Sequence, residues 1–129
     1  MPEISPSDIA APAANYAHAV LTTSSTRWLH TSGVVPVAPD GSVPADIGDQ
    51  ADVVWSNIAA MLRDARMNST DVVSVTTYVV ADRLDDLGAV MAARDRSLGG
   101  HRAASTLVTV PALARPEWKM EVAIVAASS

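Results

Sequence analysis

The sequence predicts an α+β fold: a mixed β-sheet of about six strands with two helices packed on one face. Three observations predict it. Residues 46–65 and 82–98 carry apolar side chains at three- and four-residue steps, the period of a helix. Around them run segments rich in β-branched residues with period-two alternation. Turn residues separate the two kinds of segment, giving the order β-β-α-β-α-β-β. No linker, repeat or low-complexity tract interrupts it, so residues 1–129 are expected to form one domain.

Taken in order, residues 1–14 are rich in Pro, Ser and Ala and read as a surface lead-in. Residues 15–23 suit a short strand with Tyr16, His18 and Val20 on one face. Ser24-Ser25 is a turn signal and residues 27–31 a second strand, so the pair is expected to form a hairpin. Gly33 breaks the next extended run and marks a bulge or a close approach to the backbone. Pro39-Asp40-Gly41 is a turn.

The first helix, 46–65, has Asp46 as its N-cap and Asp49 at the positive end of the dipole. Ile47, Ala51, Val54, Ile58, Met61, Leu62 and Ala65 form its apolar stripe. Asn68-Ser69-Thr70 matches a glycosylation sequon but reads as a turn. Residues 71–80 are a strand with Val73, Val75, Thr77 and Val79 in alternation. The second helix, 82–98, turns Leu84, Leu87, Val90 or Met91, and Leu98 inward and stops at Gly99-Gly100. Residues 103–110 form a strand, 111–117 a Pro-punctuated loop, and 118–127 the last strand. There Met120, Val122 and Ile124 alternate with Lys119, Glu121 and Ala123.

A chain of 129 residues can bury about two-thirds of its unfolded surface without a disulfide or metal. It has no cysteine, which excludes disulfides and thiolate sites and suits a reducing compartment, so a cytoplasmic location is expected. A net charge of −5 makes a nucleic-acid partner unexpected. No run of 18 apolar residues signals a membrane span, and the N-terminus lacks a basic-then-apolar leader. Residues are 49% hydrophobic but only 4% aromatic, without Phe, so the core must be aliphatic. With both helices on one face, the other face lies bare and apolar, and a second copy of the chain is the expected cover.

Several stretches resemble the reactive intermediate deaminase (Rid, YjgF-like) family. Tyr16-Ala17-His18-Ala19-Val20 is similar to its opening segment, and Ser32-Gly33-Val34-Val35-Pro36 to its Ser-Gly-x-x-Pro turn. Gln50-Ala51 and Asn57-Ile58 match its first helix, and Asp71-Val72-Val73 with Thr76-Thr77-Tyr78-Val79 its central strand. Ala104-Ser105-Thr106 and Lys119-Met120-Glu121-Val122 match its C-terminal signature. The resemblance covers residues 12–127 and implies a chorismate-mutase-like fold. It also implies a homotrimer around an inner barrel, small-molecule clefts between subunits, and hydrolysis of enamines and imines to carbonyl compounds and ammonia. No cofactor or metal is implied.

An amino-acid-derived imine carries a carboxylate, which calls for a cation or clustered N–H groups. The imine carbon also needs a water positioned by an acceptor. The resemblance places Glu121 as the water-orienting carboxylate, with the Thr106 carbonyl helping to hold the water. It makes Tyr16 a cleft-closing residue from a neighbouring subunit. Ser32 and Gly33 are assigned to substrate binding, Gly33 through its N–H. The family's arginine position holds Ala104 here. Arg102, two residues earlier on the same strand face, either replaces that cation or is a solvated or subunit-bridging arginine. Glu121 reads otherwise as a solvent-facing strand carboxylate, and Tyr16 as a packing residue. Trp118, opening the last strand, is placed at the pocket rim; Trp28, Trp55 and Trp118 also suit packing or an interface. His18 and His30 would meet only if the hairpin forms, and no third ligand stands at metal spacing. A non-enzymatic ligand-binding or chaperone-like oligomer on the same fold is the alternative reading, favoured by Ala104.

Overall fold

A computed structural model describes residues 2–129. Six strands and two helices follow in order: β1 Glu3–Ile4, β2 Ala19–Val20, β3 Arg27–His30, α1 Ile47–Asp64, β4 Val72–Val80, α2 Leu87–Leu98, β5 Ala104–Val110 and β6 Met120–Ser128. The strands divide between two sheets. The main sheet has the order β3-β6-β4-β5, mixed because β4 and β5 run parallel while β6 is antiparallel to both β3 and β4. The βα unit from β4 through α2 to β5 supplies the crossover that a parallel pair needs.

The expected hairpin of residues 15–23 with 27–31 does not form. β2 pairs with β1 in a separate two-stranded ribbon, and β3 pairs with β6. Residue 17 goes to the far edge of the main sheet, where the Ala17 N–H donates to the Ala103 carbonyl at 3.0 Å. Ala17 is buried there, and burying it against β5 outweighs the local turn signal. His18 and His30 therefore stand at opposite edges of the sheet.

Both helices pack on one face. Ile47, Ala51, Val54, Trp55, Ile58 and Leu62 of α1, with Val90, Ala93 and Leu98 of α2, meet Val72, Val75 and Val79 of β4. They also meet Met120, Val122, Ile124 and Ala126 of β6. The stripe read from the sequence is thus the core stripe, with Met61 falling at its exposed margin. Asp46 caps α1 by accepting from the Asp49 N–H at 3.1 Å. The second helix is shorter than its apolar pattern suggests. Ala81–Asp86 form a 3-10 segment in which Arg83 leaves helical geometry, and Leu84 is 58% exposed rather than buried. Gly99, in the left-handed region at φ 59°, ends α2. Asn68 accepts from the Thr70 N–H in a capping box with Asp71, so the sequon serves a turn. The Ser42 hydroxyl, then its N–H, hold the Asp40 carboxyl below its usual pKa in the neighbouring turn.

The opposite face carries no helix. Register places Trp28 and His30 of β3 beside Ala127 and Val125 of β6. Next come Ser74, Thr76 and Tyr78 of β4, then Ala104, Thr106 and Val108 of β5. Trp28 is 49% exposed and Val108 40%, with Trp28 stacked on His30 at 6.4 Å between ring centroids. Among the described residues no helix is long and apolar enough to cross a membrane.

Two side-chain amides on α1 fix the loops around this sheet. Gln50 is fully buried; its Nε2 donates to the Pro44 and Glu117 carbonyls at 2.7 and 2.8 Å. Its Oε1 accepts from the Lys119 N–H at 2.9 Å. Asn57, two helical turns on, donates to the Val37 carbonyl at 3.0 Å. A buried amide with three partners is stabilising chiefly because losing it strands all three. Gln50→Leu, which keeps the volume but no polar atom, is expected to lower unfolding free energy by about 2 kcal/mol or more in urea titration. A change below about 0.5 kcal/mol, the range of neutral surface substitutions, would contradict this role.

Candidate functional site

The geometry around Glu121 begins with a bulge. Thr31 exchanges hydrogen bonds with Ile124, its N–H donating to the Ile124 carbonyl and its hydroxyl accepting from the Ile124 N–H. Val34 then exchanges backbone bonds with Val122. Three steps along residues 31–34, which continue from β3, therefore face two along β6, and the extra residue lies at Ser32-Gly33. Val34 turns into the core, while Gly33 lies under the Glu121 carboxyl. A Cβ on Gly33 would overlap Glu121 Oε2 outright and lie 2.9 Å from its Cδ. Gly33 is not in the positive-φ region, so the position needs glycine for space and not for backbone conformation. Ser32 is exposed. Ser32 and Gly33 also wall a groove of about 680 Å³ between residues 29–37 and α1, which Glu121 does not line.

Glu121 is half-buried on the helix-free face, opposite Tyr78. Among the described residues its carboxylate has no hydrogen-bond or ion-pair partner. Gln50 holds Glu117 and Lys119 just ahead of it, and Asn57 holds Val37 just beyond Gly33. These two amides frame the Gly33–Glu121 contact from both sides. Neither role is encoded in the family resemblance of the first helix alone. The available signal for Gln50 was a polar residue lying on an otherwise apolar stripe.

A second group gathers at the β5 edge. The Arg102 guanidinium donates to the Tyr16 carbonyl from Nε and Nη2, at 3.2 and 2.6 Å, and pairs with Glu3 at 3.1 Å. It therefore clamps the N-terminal segment to the sheet edge. Tyr16 is half-buried, its ring edge-on to His18 at 6.0 Å and its hydroxyl accepting from the Ala13 N–H at 3.4 Å. Ala104 is half-buried and Thr106 exposed, both on the helix-free face. Ser105, between them, faces the other way and accepts from buried Arg94 at 3.2 Å.

The two groups do not meet within one chain. Glu121 is level with Tyr78 of β4, Thr106 with Thr76, and Ala104 with Ser74. β4 separates β6 from β5, so spacings of about 4.8 Å across and 3.4 Å along put Glu121 roughly 12 Å from Thr106 and roughly 16 Å from Ala104. Trp118 belongs to neither group. It lies before β6, half-buried, beside a hollow of about 220 Å³ walled by Val80, Pro111 and Leu113. No group of three or more His, Asp or Glu suited to a metal ion occurs among the described residues.

Residues 7–128 match the family model described as Endoribonuclease L-PSP. A RutC family protein of Haemophilus influenzae is 40% identical over 67 residues, 51% of this chain and 50% of that one. TdcF of Escherichia coli, a reactive intermediate deaminase by name, is 36% identical over 50 residues, 38% of this chain and 39% of that one. The matches thus span half or less of these curated relatives. The crystal structure of a Rid family protein of unknown function, YyfB from Yersinia pestis, superposes with a TM-score of 0.88 at 31% identity. That match covers 98% of both chains.

The Gly33–Glu121 contact generates a clean structural test. The overlapping atom is the end of a flexible side chain, so Gly33→Ala is expected to fold, with a melting temperature within a few degrees of the parent. A crystal structure of the variant should show the Glu121 carboxyl moved off Gly33. An unmoved carboxyl, or loss of folding, would contradict the contact.

Proposed function

The chain belongs to the endoribonuclease L-PSP family, also called Rid or YjgF-like, and on that premise we propose that it hydrolyses reactive imines and enamines in clefts between copies of itself. The observation that carries this reading is the unpartnered Glu121 carboxylate, seated on Gly33 at the helix-free face. Assembly is proposed as a homotrimer with these faces turned inward. The exposed Trp28 and Val108 support a covered face, since apolar patches of this kind are uncommon on monomers. The separation of the Gly33–Glu121 group from the Tyr16–Ala104–Thr106 group supports clefts with two walls, one from each of two copies.

In the proposed reaction Glu121 orients a water and takes up its proton as the oxygen bonds to the imine carbon. The nitrogen, protonated in turn, leaves as the C–N bond breaks. The balance is R₂C=NH + H₂O → R₂C=O + NH₃. Ser32, Gly33, Thr106 and Tyr16 shape the cleft, Tyr16 from the neighbouring copy. Trp118 lines its outer rim only if assembly brings a second chain against the β4–β5 end. The net charge of −5 weighs against an RNA substrate, despite the family's endoribonuclease description.

A second reading is a ligand-binding oligomer without turnover. Ala104 favours it, because the cation the family's deaminases use is missing. The two are separated by measuring ammonia release from imines generated in situ. The enzyme reading expects the parent protein to speed release and Glu121→Gln to lose about 10²-fold or more of that acceleration. Thermal stabilisation by a ligand with no acceleration of any imine would decide for the second reading.

A further inference from the structure

Ala104 holds no cation, yet an amino-acid-derived imine needs one beside its carboxylate. The nearby cations differ in what already holds them. Arg94 is buried on the core side of β5 against Ser105. Arg102 is engaged by the Tyr16 carbonyl and by the Glu3 carboxylate, so its charge is already offset. The Arg115 side chain has no partner among the described residues, but it is exposed in the loop before β6. Lys119 is placed differently. The Val80 N–H donates to the Lys119 carbonyl at 3.0 Å, which continues the β4–β6 register in which Tyr78 faces Glu121. Lys119 therefore lies on the helix-free face with Glu121, about 7 Å along the strand. Its backbone is fixed by buried Gln50, which accepts from the Lys119 N–H at 2.9 Å. Its ammonium meets only the neutral Pro116 carbonyl, at 2.9 Å, and no carboxylate among the described residues.

We infer that Lys119 is the substrate-binding cation of this chain. It takes the carboxylate of an α-imino acid on the strand that carries Glu121, and Ala104 leaves the opposite wall open for the substrate's side chain. The inference rests on the hydrolytic reading above and names the residue that sets its specificity and the orientation it imposes. The imine carbon and its carboxylate are one bond apart. A water on Glu121 and an ammonium on Lys119 can therefore address both from neighbouring positions of one strand face. Exchanging the Pro116 carbonyl for a carboxylate replaces a neutral acceptor by a charged one, and such bonds are roughly twice as strong. The ammonium also offsets the repulsion between the substrate's carboxylate and Glu121. Arg115 shares the walls of the hollow beside Lys119 and adds attraction for an anion there. The balance is RC(=NH)CO₂⁻ + H₂O → RC(=O)CO₂⁻ + NH₃.

The test uses the intact protein and two imines differing only in the carboxylate, made in situ by flavin-dependent oxidation of L-leucine and of 3-methylbutylamine. The parent should favour the leucine-derived imine. Lys119→Met should lose about tenfold or more of kcat/KM on it, mainly through KM, with Lys119→Arg recovering most of the loss. Whatever rate the parent gives the amine-derived imine should change by less than about threefold in the same variants. Lys119→Gln gives the same readout if the Met variant does not fold. No loss in Lys119→Met, equal loss on both imines, or a larger carboxylate-selective loss in Arg115→Ala or Arg102→Gln overturns the inference and leaves the hydrolytic reading standing. So does turnover of the amine-derived imine alone. If the parent accelerates neither imine, hydrolysis fails, and thermal stabilisation by 4-methyl-2-oxopentanoate decides the rest. Stabilisation of the parent but not of Lys119→Met upholds the carboxylate site. Equal stabilisation of both, or of neither, overturns it as well.

Discussion

A four-stranded sheet with both of its helices on one side is the constraint from which the other features follow. α1 and α2 bury the alternate residues of β4 and β6 that point toward them, and those residues make up the core. The residues between them are left on a face that mixes aliphatic, small and hydroxyl side chains with one carboxylate and one stacked Trp–His pair. Hydrophobic burial acts by removing apolar area from water, at about 25 cal/mol per Å². An exposed tryptophan in the middle of an edge strand therefore represents stabilisation that the isolated chain leaves unused. On the proposed reading, assembly supplies it, and the two separated residue groups become the two walls of one cleft.

Within the chain, precision at Glu121 comes from buried polar bonds more than from apolar packing. Aliphatic side chains specify volume but tolerate small slides. Gln50 and Asn57 fix particular carbonyls and N–H groups in the loops on either side of the Gly33–Glu121 contact. Gly33 then leaves room for the carboxyl to lie against the backbone. The amide-to-loop bonds, the bulge and the missing Cβ act together as one positioning device, and each is rooted in a different stretch of sequence.

Periodicity made the helices and long strands legible, because burying one face imposes a 3.6 or a 2.0 repeat that reads directly from the residues. Asp46, Gly99 and the alternation of Met120, Val122 and Ile124 are local signals with local consequences. The partner of residues 15–23 was not legible. A turn at Ser24-Ser25 suggested a hairpin, but the choice between β3 and the edge of β5 is settled by tertiary burial of Ala17. Leu84 departs from its helical pattern for a similar reason: the ion pairs of Arg83 with Asp82 and Asp86 accompany a 3-10 turn that rotates it outward. At the candidate site, Glu121 and Gly33 were named from the sequence. Their contact, the clamp of Arg102 on Tyr16 and the frame made by Gln50 and Asn57 depend on pairings between distant segments, which no local pattern encodes.

The central claim is that the helix-free face is covered by further copies of the same chain. Sedimentation equilibrium at micromolar concentration tests it most directly. The account predicts a single species near three times the 13.4 kDa chain mass. A folded protein sedimenting at 13.4 kDa across that range would contradict it, since the two walls of the proposed cleft would then never come together.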